Sequence, residues 1–245
     1  MPETVTDNIT VAQMVRNDYR TAEVFKKYGI NYCCSGNISL EEACRLKELD
    51  ATQVHNDLAH ATRNILVSNS LNFDEWDVGF LADYITNVHH AYEDRMLPSF
   101  QANLISFVNS HKKQHSELAE VVETVDEIIR LISFQNKHEN EILFPYIKQL
   151  ENMHRRKEVY GNLFVRTMRK PLNDTEDIHV SIGGLLERLR KATNHYRFPA
   201  QACTNHQVVF RQLEAMDQDL VQHIHLENNI LFPKAKEMER ALLER

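Results

Sequence analysis

A seven-residue stretch written twice constrains this chain more than any other feature. Glu139-Asn140-Glu141-Ile142-Leu143-Phe144-Pro145 returns 88 positions later as Glu227-Asn228-Asn229-Ile230-Leu231-Phe232-Pro233, with six of seven letters unchanged. The Ile-Leu-Phe-Pro part has the form of a buried helix face followed by a stop. Core packing does not explain why Glu-Asn is repeated with it. Two helices with this signature can face each other across a pseudo-twofold axis, each bringing one carboxylate to the centre.

The surrounding sequence supports long helices. Gly and Pro number only six each in 245 residues, well under the average usage of about 7% and 5%, which argues against turn-rich all-β folds. Helices are predicted at about 74–95, 97–111, 115–151, 176–195 and 202–243. Long helices with short connections imply an antiparallel four-helix bundle. Upstream, Thr10 with Gln13 and Ser39 with Glu42 have capping-box spacing, and Asp50 with Gln53 offers a third helix start. Residues 8–65 therefore read as two or three short helices. The polar run Ser68-Asn69-Ser70-Leu71-Asn72-Phe73-Asp74 marks the expected boundary. The expectation is an all-α chain, with a small helical domain over 1–67 and a four-helix bundle over 68–245.

Several classes of partner and location are excluded at this stage. No window reaches 18 uninterrupted apolar residues, so no membrane span is expected. A net charge of -7 without a long Lys/Arg run argues against nucleic acid. The N-terminal residues lack a basic and then apolar leader, so a cytoplasmic protein is expected. Cys33, Cys34, Cys44 and Cys203 do not resemble a disulfide framework.

The 13 histidines suggest metal chemistry. His223 and Glu227 stand four apart, which places imidazole and carboxylate on one helical face. His90 and His179 fall in the predicted first and third bundle helices. Mixed His and carboxylate ligation inside a bundle favours iron or manganese.

On these residues the chain resembles the hemerythrin-like di-iron proteins of the repair-of-iron-centres (RIC) family. Phe25-Lys26-Lys27-Tyr28-Gly29-Ile30-Asn31-Tyr32-Cys33-Cys34 is similar to the short cysteine-bearing domain that precedes the bundle in that family. His90 followed by Leu97-Pro98, His179 followed by Leu185-Leu186-Glu187, and His223-x-x-x-Glu227-Asn-Asn-Ile-Leu-Phe-Pro match its ligand helices. The resemblance implies His90, His179 and His223 as terminal iron ligands, with Glu139 and Glu227 as bridging carboxylates. It departs at Gln135, where the family pattern has histidine; a neutral amide is a poor iron ligand, so one iron site is expected to be weaker. His138 could substitute only through a helix bulge, because on a regular helix it points about 100° away from Glu139.

The resemblance also implies a function: repair of iron–sulfur clusters damaged by nitric oxide or oxidants, by iron donation. Damaged iron–sulfur proteins are the implied partners, and a homodimer stays open. Cys33 and Cys34 are the candidate thiols for handling iron or a cluster fragment. The competing reading is a hemerythrin-like protein that binds or reduces nitric oxide or dioxygen. Other residues read more plainly: His89 as core or support for a ligand, and His225 as turned away from the site. Cys44 and Cys203 read as inert, Glu93 and Asp94 as support or substitute ligands, and Gly183-Gly184 as close helix packing.

Overall fold

The structure is a computed structural model that describes residues 9–33, 36–62, 71–111, 118–170 and 172–244. Among these the secondary structure is helical, with one isolated bridge between Thr10 and Ser39. The chain divides into two compact units, Met1–Asn69 with Tyr196–Glu214, and Ser70–His195 with Ala215–Arg245.

Four short helices open the first unit: α1 (Val11–Asn17), α2 (Thr21–Lys27), α3 (Leu40–Leu46) and α4 (Ala51–Ala61). The starts of α1, α3 and α4 are those the capping residues predict, whereas α2 begins after Arg20 without a side-chain cap and makes four helices where two or three are expected. Thr10 and Gln13 form a complete capping box, Ser39 accepts from the Glu42 amide, and Asp50 accepts from the Thr52 and Gln53 amides. Gly29 ends α2 at φ +65°, and the Ile30 amide returns to the Phe25 carbonyl at 2.7 Å. That Schellman closure folds Ile30 back onto Phe25 in the core, beside Val11, Val15, Leu40, Cys44 and Val54. Val208 joins the same core, so residues 196–214 pack with this unit rather than with the bundle they precede. The expected boundary at 68 itself lies outside the described residues.

The second unit carries four long helical rods. The first is α5 (Val78–Ile85), a π-turn at Thr86–His90 and α6 (Ala91–His111). The second is α7 (Leu118–His138), a π-turn at Glu139–Leu143 and α8 (Phe144–Arg156). After the short α9 (Gly161–Met168), which the sequence reading missed, come α10 (Leu172–Ala192) and α11 (Thr204–Leu226), whose residues from Ala215 on belong to this unit. A third π-turn at Glu227–Leu231 leads into α12 (Phe232–Leu243). Leu81, Ile85, Leu143, Phe144, Ile147, Leu226, Leu231 and Phe232 fill one buried cluster of this unit.

One expectation about proline is corrected. Helices 74–95 and 97–111 are continuous through Pro98, which lies on the exposed face, where water can solvate the carbonyl of Asp94 that it leaves unbonded. Pro145 and Pro233 lie inside the helices expected over 115–151 and 202–243, which run on to Arg156 and Leu243. A proline ring clashes with the carbonyl four residues back, and a π-turn supplies the extra residue that relieves it. The Phe144 amide accordingly bonds to Glu139 O, and the Phe232 amide to Glu227 O. Each repeated proline thus follows a π-turn that begins at the repeated glutamate.

Candidate metal centre

The π-turns bring the predicted residues together. One donor atom from each of His90, Glu139, His223 and Glu227 lies within 4.8 Å of the others, and all four residues are buried. His90 Nε2 is 3.1 Å from His223 Nε2 and 3.4 Å from Glu139 Oε2. His223 Nε2 is 3.3 Å from Glu227 Oε1, while His179 Nε2 is 3.1 Å from Glu227 Oε2. Glu227 therefore presents one oxygen to each of two imidazole sets. His179 stands outside the four-residue group, on the Gln135 side, where Gln135 Nε2 contacts His179 Nε2 and donates to Glu139 Oε1 at 2.8 Å.

The outer nitrogen of each imidazole is held by a neighbouring side chain. His90 Nδ1 donates to Asn140 Oδ1 at 2.8 Å, and His179 Nδ1 to Asn228 Oδ1 at 2.7 Å. His223 Nδ1 donates to Glu93 Oε1 at 3.0 Å, and Asn136 Nδ2 in turn donates to Glu93 Oε2 at 2.5 Å. A proton fixed on Nδ1 leaves the Nε2 lone pair turned inward, as a metal ligand requires. Phe144 stacks on His90 at 5.5 Å between ring centres, and Phe232 on His179 at 6.1 Å. The repeat now has a reading letter by letter. Each copy supplies a central glutamate, an asparagine that orients the imidazole of another rod, and a phenylalanine against that same ring.

The buried oxygens fit a cation. Glu139 Oε2 and both Glu227 oxygens have no hydrogen-bond donor among the described residues. Anionic oxygens removed from water and left without donors are strongly disfavoured unless a positive ion completes them. Without a metal ion, protons supply part of that positive charge. Burial, and then the charge of Glu227, push the Glu139 carboxyl up to about 7. Burial alone would raise Glu227 as well, yet the His223 and His179 imidazoles hold it well below the usual carboxylate range. His223 is pushed well above its ordinary value, because Glu227 and Glu93 outweigh the desolvation that opposes its charge.

Other candidates divide clearly. His138 is half-buried and outside the donor cluster, since the π-turn starts one residue after it and leaves it in regular helical geometry. Glu93 supports His223 rather than joining the cluster. His89 is buried against Asp219, and His225 is exposed beside Asn229, as expected. The close-packing reading of Gly183 and Gly184 is corrected, because a Cβ at either would meet nothing within 4 Å. Cys33 is half-buried in the first unit, Cys34 lies outside the described residues, and Cys44 is buried. Cys203 Sγ accepts the His206 amide at 3.4 Å, at the start of α11. Asn140, Asn228 and Asn136 escaped the sequence reading as individual residues. The duplicated asparagine was the signal for the first two, and nothing local marks the third.

Replacing Asn228 by alanine removes the Oδ1 that accepts from His179 Nδ1 without touching a cluster donor. Loss of such an orienting partner is expected to weaken metal binding about 10–100-fold. Competition against a chelator of known affinity measures it, with circular dichroism showing the helices retained.

Fold and site together define a hemerythrin-type cation-binding bundle. The profile described as the hemerythrin HHE cation binding domain matches residues 120–235, and one described as a domain of unknown function (DUF542) matches residues 7–62. Among curated proteins, an iron–sulfur cluster repair protein YtfE of Enterobacter sp. (strain 638) is 31% identical over 231 residues, covering 92% of this chain and 95% of the relative. An iron–sulfur cluster repair protein ScdA of Staphylococcus haemolyticus is 25% identical over 237 residues, 94% of this chain and 99% of the relative. A YtfE protein of Citrobacter koseri is 29% identical over 219 residues, 88% and 91% of the two chains. The chain belongs to this RIC family of iron–sulfur cluster repair proteins. Among the described residues no helix is long and apolar enough to cross a membrane.

Proposed function

We propose that the bundle holds a carboxylate-bridged pair of iron ions and gives iron to damaged iron–sulfur clusters of other proteins in the cytoplasm. The observation that carries this reading is Glu227, buried with one oxygen toward His223 and the other toward His179. His90, His223, Glu139 and Glu227 supply two imidazoles and two carboxylates for the tighter ion. His179 and the two shared carboxylates hold the second, with the Gln135 amide where an imidazole would strengthen it. Iron is the cargo here, and a weak second position suits an ion that must leave. The chain's own residues keep water out with Phe144 and Phe232, and fix the imidazole tautomers with Asn140, Asn228 and Glu93. Cys33 and Cys34 are the thiols of this chain suited to receive iron in transit.

The test uses the purified full chain loaded with ferrous iron. It is added to a cluster-containing dehydratase inactivated by nitric oxide, with chelated iron and the metal-free chain as controls. Recovery of dehydratase activity with matching loss of iron from the chain supports donation. No recovery beyond the chelated-iron control overturns it.

A further inference from the structure

Beside the metal centre lies a row of aromatic rings that none of the preceding roles uses. Trp76 and Tyr84 stand 5.3 Å apart between ring centres, and Tyr84 and His89 5.7 Å apart. His89 then stacks on His223 at 5.6 Å, with its plane turned by only 14°. The row starts at the surface and ends in the buried cluster. Trp76 is half-buried and lines an open surface pocket with Glu75, Asp77 and Lys234, while Phe80, at 4.8 Å from it, is 59% exposed. His89 is fully enclosed, with Nδ1 held by Asp219 Oδ1 at 3.0 Å.

We propose that Trp76, Tyr84 and His89 form an electron route between the surface and His223. The proposal rests on the iron reading of the site given above. Packing alone accounts poorly for the row. Leucine or phenylalanine would fill the position of His89 without burying a polar ring whose Nε2 has no hydrogen-bond partner among the described residues. Trp76 is the single tryptophan of the chain, and it stands at the surface end, next to a tyrosine. Both side chains are among those most readily oxidised by one electron. Tunnelling falls steeply with distance, so closely spaced π-systems ending on an imidazole of the cluster give a far better path than aliphatic packing.

The balance is simple. A one-electron reductant of the flavin class loses one electron at the Trp76 face, and one ferric ion becomes ferrous. No bond forms or breaks in the route, and its residues end unchanged. Ferrous iron exchanges ligands faster than ferric iron, so the route would set when the cargo is released.

The test has two arms. In the metal-free full chain, azide radicals made by pulse radiolysis oxidise the single tryptophan to its indolyl radical. An electron and a proton then pass from the Tyr84 phenol to the indolyl nitrogen, restoring the tryptophan and leaving a phenoxyl radical. The expected result is indolyl decay matched by phenoxyl growth, at a rate independent of protein concentration and lost in Tyr84→Phe. Unchanged kinetics in Tyr84→Phe overturn the proposal. In the second arm, the iron-loaded oxidised chain is reduced by a photoreduced flavin. Trp76→Leu and Tyr84→Leu are expected to lose the fast phase of reduction while keeping their iron content. A fast phase retained in both variants overturns the route but leaves the iron reading standing. A chain that takes up no iron overturns both, and iron analysis before the reduction separates the two outcomes.

Discussion

Replacing Glu227 by glutamine is expected to abolish stoichiometric metal binding while leaving the bundle folded. The amide keeps the shape of the side chain and its place at the head of the π-turn, so the helical circular dichroism signal should persist. It removes a carboxylate that faces two imidazoles at once, His223 at 3.3 Å and His179 at 3.1 Å. Taking one charged partner from a buried, water-excluded set costs about 3–5 kcal/mol, roughly two to four powers of ten in affinity. The metal-free variant offers a second readout. The negative charge of Glu227 helps to raise the Glu139 carboxyl to about 7. Without that charge, Glu139 should titrate lower, which infrared difference spectra of the carboxyl band can follow. Metal retained at the wild-type level in Glu227→Gln would refute a bridging role for this residue.

The same residue shows what was legible in the sequence. A glutamate four positions after a histidine fixes a shared helical face, and the return of that glutamate in a second helix marks a second carboxylate, without any knowledge of the fold. Low Gly and Pro content fixes long helices, and capping residues fix the starts of α1, α3 and α4. What escaped depends on geometry that pattern alone does not carry. Helices expected over 115–151 and 202–243 do run through Pro145 and Pro233, but the pattern gave no sign that a π-turn accommodates each ring. Pro98 was read as a break because exposure of its helix face is a tertiary property. Val208 packs with Phe25 rather than in the bundle, since helical periodicity names an apolar face but not the surface that covers it. Asn136 is a polar residue on a helix until Glu93, 43 positions away in sequence, is seen to need a donor.

Gln135→His is expected to strengthen the second metal position, and only part of the way. Gln135 lies four residues before Glu139, as His223 lies four before Glu227, and its Nε2 already reaches Glu139 Oε1 and His179 Nε2. An imidazole there would add a ligand where the amide offers a poor one. The two halves differ in a second place, however. His223 is oriented by Glu93, which stands three residues after His90. The residue three after His179 is Ile182, fully buried. The new imidazole would therefore have no carboxylate for its Nδ1, and such partners are worth about 10–100-fold in metal affinity. Ile182→Glu alone should be strongly destabilising, because it buries a carboxylate without a partner. Combined with Gln135→His, the two should recover together, with a coupling of about 0.5–3 kcal/mol in a double-mutant cycle on the metal-free chain. Chelator titration should show the second ion held more tightly in Gln135→His than in the wild type, and tighter again in the pair. Additive stability losses, with no gain in the second affinity, would mean that the asymmetry of the site does not reside in residues 135 and 182.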